Sequence, residues 1–379
     1  MLRIGITGQA GFIGTHLLNT LNLNKDRFKT IPFEDSYFAE EQKLNDWVRQ
    51  CDTIIHLAAV NRHNDPEVIY QTNIGLVKQL IDSMEKTSSK PHVLFASSTQ
   101  EERDNHYGKS KREGRELFEK WATRNDARFT GLVIPNVFGP FGNPYYNSVV
   151  ATFCHQLTHN ETPKIEVDSE MKLIYVGELV DEIIKKLKDY ESPISNHSTI
   201  ITISVPHTSI IKVSTLLQKL IKYKENYFET GIIPSLDDPF NRNLFNTFVS
   251  YIDHKNFFPF KLKLNTDERG SFVETMKLNS GGQVSFSTTV PGITRGNHFH
   301  TRKAERFAVI KGKALIQLRK IGTSELFNFE LSGDQPSFVD MPIWYTHNIT
   351  NIGKDDLYTI FWINEHFDLN DPDTYFEKA

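Results

Sequence analysis

Four residues of metal-ligating types occur in the last third of the chain. His298 and His300 are separated by one residue, so on a β-strand both imidazoles face the same side. Glu305 follows shortly afterwards, and His347 comes later in the chain. Three imidazoles and one carboxylate suit zinc, iron, manganese or nickel, and the sequence does not choose among these metals. The four residues therefore predict a metal site, either catalytic or purely structural.

A divalent cation at such a site would support acid–base chemistry beside a ketone. A cation that polarises a ketone oxygen acidifies the neighbouring C–H group, and return of the proton on the opposite face is epimerisation. That reaction needs acid and base groups. Tyr345, beside His347, is the residue that we assign to this role; Lys303 and Glu365 are further candidates.

A second set of residues, near the start of the chain, indicates hydride chemistry. Three glycines at positions 8, 11 and 14 follow an apolar strand pattern and precede an amphipathic helical pattern. Glycines let the backbone approach a pyrophosphate closely, and a helix N-terminus supplies free N–H groups with a partial positive charge. The motif therefore predicts a dinucleotide site. We assign to it Gly8, Gly11, Phe12, Ile13, Gly14, Leu57, Ala58 and Arg62, together with Tyr107 and Lys111.

Ser98, Tyr107 and Lys111 supply the groups that hydride transfer to a ketone requires. Tyr107 and Lys111 are four residues apart, so at the start of a helix they share one face. Because a nearby ammonium stabilises tyrosinate, we expect the pKa of Tyr107 to be lowered towards a range useful for proton transfer. Lys111 could also hold the nicotinamide ribose. Ser98 ends a predicted strand, where its hydroxyl could hydrogen-bond a substrate carbonyl.

The choice between NADH and NADPH is left open by the sequence. Rossmann sites use an acidic residue for a free ribose 2′-OH and an arginine for a 2′-phosphate. The second predicted strand ends at Glu34 and Asp35, which favours NADH, whereas Arg62 offers the positive charge that NADPH would need.

Two different patterns of secondary structure must position these residues. The first half alternates apolar strands with helical segments such as Ile74–Lys86, opened by Asn73, which indicates a parallel sheet covered on both faces. After about residue 255, short β-rich segments separated by Gly and Pro indicate an antiparallel sandwich or barrel. We therefore predict an α/β, Rossmann-type, doubly wound domain over residues 1–250 and an all-β domain over 251–379. Leu244–Ile252 is too apolar for a free linker and is expected to pack between domains or at a subunit interface.

Length and composition exclude several classes of protein. A chain of 379 residues is long enough for two or three domains. A net charge of −4 provides no basic field for nucleic acid or anionic lipid, so we expect neither as a partner. Two cysteines, Cys51 and Cys154, cannot form a disulfide framework, and neither a signal peptide nor a membrane-spanning apolar stretch is evident. Together these features predict a cytoplasmic protein.

The glycine motif, Ser98, Tyr107 and Lys111, in this order, resemble the extended short-chain dehydrogenase/reductase family over roughly residues 1–245. That family includes nucleotide-sugar dehydratases, epimerases and reductases. The resemblance implies Ser98 as the carbonyl orienter, Tyr107 as proton donor or acceptor, and Lys111 as the ribose and pKa partner. It also implies that Asn136 contacts the sugar nucleotide.

The same resemblance bears on the type of reaction. Dehydratases of the family usually carry Asp-Glu just after the strand that ends in the catalytic Ser or Thr. Here the acids of residues 99–103 fall in a loop shortened towards the reductase form. This disfavours a dehydratase and leaves open a redox-neutral epimerase with tightly bound NAD.

The metal-site residues resemble the two motifs of the cupin family, over roughly residues 262–379. The flanking Gly292, Gly312 and Pro342 belong to the same pattern. Trp344 stands where the second motif usually has glycine, at a turn position rather than a ligand position. Residues 267–274 also resemble the entrance of the dTDP-sugar 3,5-epimerase cupins, although those relatives work without a metal.

Nearly the whole chain resembles bacterial capsular-polysaccharide enzymes in which an extended reductase precedes a metal-binding cupin. The stretches that carry this resemblance include Ile54–Arg62, Tyr146–Cys154 and Asp371–Phe376. It implies that the cupin, with zinc, epimerises carbon 3 of a UDP-2-acetamido-2,6-dideoxy-4-hexulose. NADPH-dependent reduction at carbon 4 would follow, giving UDP-2-acetamido-2,6-dideoxy-L-talose on the way to UDP-N-acetyl-L-fucosamine.

The expected substrate is thus a UDP-linked 4-keto-6-deoxy-HexNAc, and the resemblance also implies a homodimer. The main alternative is a monofunctional reductase whose cupin is a non-catalytic module for dimerisation and sugar binding.

Overall fold

The protein is described by a computed structural model that covers residues 1–190 and 200–379. Its backbone contacts divide it into two compact units, each continuous in space but not in sequence. The N-terminal unit comprises Met1–Phe138, Gly142–Val149 and Ser169–Lys212, and the C-terminal unit comprises Gly139–Phe141, Val150–Asp168 and Val213–Ala379. The domain boundary predicted at residue 250 stays a prediction.

Helices and strands are numbered in chain order. The α-helices are α1 (Phe12–Asn22), α2 (Glu41–Val48), α3 (Pro66–Thr87), α4 (His106–Asn125), α5 (Val149–Thr158), α6 (Val176–Tyr190), α7 (Val213–Tyr223), α8 (Pro239–Val249) and α9 (His254–Phe257). The first strands are β1 (Leu2–Thr7), β2 (Phe28–Ile31), β3 (Thr53–His56), β4 (His92–Ser98), β5 (Phe129–Ile134), β6 (Asn136–Phe138), β7 (Glu170–Tyr175), β8 (Ile200–Ser204) and β9 (Ser209–Lys212). The later strands are β10 (Phe260–Lys261), β11 (Leu264–Asp267), β12 (Gly270–Val273), β13 (Gln283–Thr289), β14 (Thr294–Phe299), β15 (Glu305–Lys311), β16 (Lys313–Lys320), β17 (Leu326–Ser332), β18 (Ser337–Met341), β19 (Tyr345–Asn351), β20 (Leu357–Ile363) and β21 (Tyr375–Phe376).

A six-stranded parallel sheet forms the centre of the N-terminal unit, in the order β2-β1-β3-β4-β5-β8. Apolar side chains of α3 and α4, such as Leu80 and Phe118, join one core cluster. Side chains of α1 and α6, such as Leu17 and Ile183, join another. The helices thus bury both faces of the sheet, which explains why its strands are continuously apolar. The predicted Rossmann-type, doubly wound fold is confirmed.

The start of α3 differs from the prediction. The helix begins at Pro66 rather than Ile74, because the Asp65 side chain accepts a hydrogen bond from the Glu67 N–H at 2.9 Å and Pro66 occupies the first helical position. Proline is well suited there, since the first turn has no intrahelical use for its N–H group. Asn73 consequently lies within α3 instead of opening a helix.

Two five-stranded antiparallel sheets form the β-rich part of the C-terminal unit. Their orders are β10-β18-β15-β20-β13 and β17-β16-β19-β14-β21. Ala308 and Val339 of the first sheet share one buried cluster with Ile316 and Ile349 of the second, so the inner faces of the sheets pack against each other. The predicted antiparallel, all-β C-terminal domain is confirmed.

The apolar stretch Leu244–Ile252 is packed within the C-terminal unit. Leu244, Phe245 and Phe248 of α8 are buried, and the ring of Phe245 lies 4.9 Å from that of Tyr227, centroid to centroid. Among the described residues, no helix combines the length and hydrophobicity that crossing a membrane would require.

Candidate active sites

The glycine loop that follows β1 leaves no room for side chains. Gly8 has φ +70°, and a Cβ there would come within 2.8 Å of the Ala58 nitrogen. A Cβ at Gly14 would come within 2.2 Å of the Gly8 carbonyl oxygen. No side chain caps α1 at Gly11, so the N–H groups of the first turn are available to an anionic ligand. Phe12 and Ile13, which we assigned to the cofactor site, are the first residues of α1.

The loop after β3 is held against this glycine loop. The Thr7 hydroxyl lies 2.7 Å from Nδ1 of His56 and accepts a hydrogen bond from the Ala58 N–H at 3.3 Å. Burial lowers the pKa of His56 to about 3, and the nearby Lys111 charge acts in the same direction, so this imidazole is neutral. The structure therefore places Leu57 and Ala58 next to Gly8, as a shared cofactor site requires.

Two sequence features bear on the choice between NADH and NADPH, namely the acidic pair Glu34 and Asp35, and Arg62. Glu34 and Asp35 lie beyond the end of β2, where Glu34 precedes a short 3₁₀ helix. The exposed Arg62 donates a hydrogen bond to the backbone carbonyl of Tyr145. The assignment of Arg62 to the cofactor site stays a prediction.

Ser98, Tyr107 and Lys111 lie at the carboxyl end of β4 and the start of α4. Ser98 is the last residue of β4, and its hydroxyl accepts a hydrogen bond from the Gln100 N–H at 3.2 Å. Tyr107 is in the first turn of α4, with Lys111 one turn later. The Lys111 Nζ donates to the Ala96 carbonyl at 2.9 Å and lies 5.6 Å from the centroid of the Tyr107 ring. Ligands bind at this end of the strands in open α/β sheets.

The expectation of a lowered tyrosine pKa is wrong for the free protein. Burial raises the pKa of Tyr107 to about 12, with Tyr146 adding to the effect. Burial lowers the pKa of Lys111 to about 8, against a smaller opposing influence of Glu101. Desolvation thus dominates over the attraction between ammonium and tyrosinate. At neutral pH Tyr107 is a neutral hydroxyl that can donate a proton.

Asn73 holds the site together, a role that the sequence did not reveal. Its side chain accepts from the Val60 N–H at 2.7 Å and donates to the Val60 carbonyl at 2.9 Å. It also donates to the Ser110 hydroxyl at 3.0 Å, which in turn bonds to the Tyr107 carbonyl at 2.8 Å. Asn73 therefore ties the loop after β3 to the first turn of α4.

The two acids that follow Ser98 differ in their surroundings. Glu101 is buried and receives hydrogen bonds from Arg115 at 2.9–3.2 Å and a further one from the Ser97 hydroxyl. Glu102 is exposed. Asn136, the expected substrate contact, is the exposed first residue of β6, and its role stays a prediction.

The four metal-site residues of the C-terminal unit converge. One ligand atom from each of His298, His300, Glu305 and His347 lies within 4.8 Å of the other three. The Oε2 atom of Glu305 is 3.3 Å from Nε2 of His300 and 3.2 Å from Nε2 of His347. These three atoms are buried and form no hydrogen bond of their own. His298 and His347 are direct neighbours across the β14–β19 pairing.

The environment of the cluster suits a divalent cation. Nδ1 of His300 hydrogen-bonds the Asp373 carbonyl at 2.5 Å, and Nδ1 of His347 lies 3.3 Å from the Tyr345 carbonyl. A carbonyl only accepts, so the Nδ1 atoms carry protons, and in the neutral rings the Nε2 lone pairs face Glu305. Burial lowers the pKa of His298 to about 4, so it is neutral.

Trp344 occupies the turn between β18 and β19 with φ +62°. That region of backbone conformation favours glycine. The backbone N–H of Trp344 donates to the His300 carbonyl at 2.8 Å, and the indole ring packs on Phe299 at a centroid distance of 5.7 Å.

The three residues considered for acid–base roles lie in different surroundings. Tyr345 is buried with its ring 5.3 Å from that of His254, and burial raises its pKa to about 12. Lys303 is buried and donates to the Pro372 carbonyl at 2.9 Å. Glu365 pairs with Arg302 at 3.2 Å. The catalytic assignment of Tyr345 stays a prediction.

Comparisons with known proteins agree with this two-part architecture. Residues 4–201 match the NAD dependent epimerase/dehydratase family, and residues 265–375 match the polysaccharide biosynthesis C-terminal domain. The chain is 32% identical over 375 residues to a UDP-2-acetamido-2,6-beta-L-arabino-hexul-4-ose reductase of Pseudomonas aeruginosa, covering 99% of this chain and 98% of that protein.

Among solved structures, one matches the chain over its full length and another matches only part of it. The capsular polysaccharide assembling protein CapF from Staphylococcus aureus is 35% identical with a TM-score of 0.62, and the match covers 100% of both chains. RMD from Pseudomonas aeruginosa, solved with NADPH, is 19% identical with a TM-score of 0.52, covers 59% of this chain and 83% of its own, and supports the fold alone. The chain belongs to the NAD dependent epimerase/dehydratase family and, over its full length, to the family that includes CapF.

Proposed function

We propose that the protein is a bifunctional nucleotide-sugar enzyme of polysaccharide biosynthesis. The C-terminal unit, which we interpret as a zinc-binding cupin, epimerises carbon 3 of a UDP-2-acetamido-2,6-dideoxy-4-hexulose. The N-terminal unit reduces the carbon 4 ketone with NADPH to UDP-2-acetamido-2,6-dideoxy-L-talose. The observation that carries this proposal is the occurrence, in one chain, of a Ser98–Tyr107–Lys111 arrangement and a buried cluster of unpartnered ligand atoms.

In the reductase site, three side chains assist reduction of the ketone. Bound NADPH supplies the hydride to carbon 4. The Ser98 hydroxyl orients the ketone oxygen, and Tyr107 donates its proton to that oxygen as the alcohol forms. A tyrosine pKa of about 12 keeps the proton on Tyr107 at neutral pH, as reduction requires. Lys111, four residues away on α4, stabilises the tyrosinate that remains.

In the C-terminal site, His298, His300, Glu305 and His347 would hold the metal. A divalent cation held by these residues would supply Lewis acidity towards the carbon 4 ketone and so make the carbon 3 hydrogen more acidic. The chain must then supply a base that removes this proton and an acid that returns one to the opposite face. We propose Tyr345 for one of these roles.

A shared intermediate gives the fusion a chemical reason. The carbon 4 ketone both activates the carbon 3 hydrogen and accepts the hydride. Reduction of the epimerised ketone consumes it and therefore pulls an unfavourable epimerisation forward.

The surroundings of Glu101 favour a reductase over a dehydratase. A dehydratase needs a free acid close to the catalytic tyrosine to protonate the leaving hydroxyl. Here the Glu101 carboxylate is engaged by Arg115 and Ser97. A carboxylate held by these partners is not available to protonate a leaving hydroxyl.

One alternative is supported by a specific observation. The relative that is 32% identical is named as a reductase alone. In this alternative the C-terminal unit is a non-catalytic module for dimerisation and sugar binding. A homodimer is expected under either function.

The first test is a comparison of NADPH and NADH oxidation with the enzymatically prepared UDP-4-keto-6-deoxy-HexNAc. We expect substrate-dependent oxidation of NADPH, faster than that of NADH. Faster oxidation of NADH would show that NADH, not NADPH, is the cofactor and would make Glu34 the residue to examine. Oxidation of neither cofactor would contradict the proposed reductase.

A further inference from the structure

A buried carboxylate closes the turn that follows the metal-site residue His300. The side chain of Asp373 accepts at Oδ1 from the Thr301 N–H at 3.0 Å and from the Thr301 hydroxyl at 2.7 Å. At Oδ2 it accepts from the N–H groups of Arg302 at 3.0 Å and Lys303 at 3.1 Å. Asp373 is only 3% exposed. Hydrogen bonds to an ionised acceptor in such surroundings are strong, so the turn is firmly held.

The backbone of the same residue orients the His300 ring. The Asp373 carbonyl accepts the proton of Nδ1 at 2.5 Å, so in the neutral imidazole Nε2 is the nitrogen without a proton. That Nε2 atom is buried, has no hydrogen-bond partner and lies 3.3 Å from Oε2 of Glu305. Asp373 therefore fixes both the orientation and the tautomer that a metal ligand at position 300 needs.

From this geometry we propose that Asp373 is a positioning residue that prepares His300 for metal binding. It acts through His300 and the turn at residues 301–303. The adjoining strand β21 pairs with β14, with Phe376 opposite His298, so the segment that carries Asp373 is anchored beside the site. The proposal rests on the metal centre proposed above. It adds that Asp373, which is not itself a metal ligand, contributes to the affinity for the metal.

The variant that tests the proposal is Asp373→Asn. Asn has the same shape and tolerates the φ of +41° found at this position. However, it places an NH₂ group where one carboxylate oxygen now accepts two N–H groups, so the turn must shift. The matched control is Asp371→Asn, which removes the partly exposed ion pair with Arg302 at 2.7 Å. The control changes the charge in the same way, two residues away, without contacting the turn N–H groups.

The measurement is the zinc dissociation constant, obtained by competition with a chromophoric chelator. We expect Asp373→Asn to weaken zinc binding about 10–100-fold, the usual effect of removing an outer partner of a metal ligand. Asp371→Asn should bind zinc like the wild type. Equal affinity of Asp373→Asn and the wild type would overturn the proposal, as would equal weakening by both variants.

The tautomer of His300 gives a readout that does not depend on metal. In the metal-free wild type, nitrogen-15 NMR of labelled histidine should show the His300 proton on Nδ1, with the signal assigned by its loss in His300→Gln. In Asp373→Asn the signal should shift towards a mixture of tautomers, while near-ultraviolet circular dichroism stays unchanged. A wild-type proton on Nε2 would overturn the proposal even if Asp373→Asn failed to fold. Failure of the wild type to bind any divalent cation would instead contradict the metal centre, and the NMR result would still decide the role of Asp373.

Discussion

The Lys111 ammonium lies 5.6 Å from the centroid of the Tyr107 ring, one helical turn further along α4, and bonds to the Ala96 carbonyl at 2.9 Å. Lys111 thus connects Ala96, near the end of β4, to the residue that we propose as the proton donor. Because both groups are removed from water, the pKa of Tyr107 is raised and that of Lys111 is lowered, which is opposite to the effect of charge attraction between an ammonium and a tyrosinate. Both residues are therefore in the state that reduction of a ketone needs at neutral pH.

Replacing Tyr107 by Phe should remove the proton donor and leave the fold intact. We expect kcat for NADPH oxidation to fall about 10²–10⁴-fold, the usual contribution of a positioned acid. Affinity for NADPH should change little and can be followed by fluorescence titration. The matched control is Tyr70→Phe, which removes a hydroxyl bonded to Glu113 on the neighbouring helices. Activity of Tyr107→Phe close to that of Tyr70→Phe would exclude Tyr107 as the proton donor.

The lowered pKa of Lys111 predicts opposite trends in rate and stability with pH. As pH rises through about 8, Lys111 in the free enzyme loses its charge, so kcat/KM for reduction should fall. In the unfolded chain the same lysine keeps its proton up to its ordinary pKa of 10.5. Between these values the unfolded state binds more protons, so the free energy of unfolding should rise with pH.

The control for this pH dependence is Lys111→Met, in which the rise in stability between about pH 8 and 10 should be absent. Urea unfolding at several pH values measures it. A wild-type rate that stays level to pH 10, or a difference in stability between wild type and Lys111→Met that does not change with pH, would contradict the assignment.

The left-handed conformation of Trp344 predicts a difference between two truncations. Both Trp344→Ala and Trp344→Gly lose the indole that packs on Phe299, which should lower the free energy of unfolding by about 3–5 kcal/mol. Only glycine also relieves the φ of +62°, which is worth about 1 kcal/mol. Chemical denaturation should therefore find Trp344→Gly more stable than Trp344→Ala. The reverse order would show that the turn relaxes once the indole is gone.

A buried ion pair in the C-terminal unit predicts a strongly non-additive pair of substitutions. Arg306 is 1% exposed and donates to both carboxylate oxygens of Asp340, at 2.6 and 2.8 Å. Arg306→Met removes the cation from the buried Asp340 carboxylate and leaves it the Tyr227 hydroxyl as a donor, which should cost about 3–5 kcal/mol of stability. The double variant Arg306→Met with Asp340→Leu should recover much of that loss. A loss of unfolding free energy in the double variant equal to the sum of the losses in the two single variants would contradict a stabilising interaction between Arg306 and Asp340.

The sequence predicted the parts of the sites that depend on local spacing. The separation of Tyr107 and Lys111 on one helix, and of His298 and His300 on one strand, follows directly from helix and strand periodicity. The turn position of Trp344 was also recognised correctly. The unusual residue there shows how a large apolar side chain can offset a disfavoured backbone conformation.

What the sequence could not predict depends on distant parts of the chain. Asp373 reaches His300 across 73 positions, and no spacing rule connects them. Asn73 lies inside α3 rather than at its start, because Asp65 and Pro66 supply the signal that begins the helix. The direction of the Tyr107 pKa shift was wrong because it depends on desolvation, which is a property of the folded protein.

The most direct test of bifunctionality is to run the reaction in deuterium oxide with NADPH and the UDP-4-keto substrate, and to analyse the product by NMR. Three proteins should be compared: the zinc-loaded wild type, the metal-free wild type and Glu305→Gln. We predict deuterium at carbon 3 and the inverted carbon 3 configuration in the product of the zinc-loaded protein alone. Metal-free protein or Glu305→Gln that forms the same inverted, deuterated product would contradict an epimerase centred on the His298, His300, Glu305 and His347 cluster.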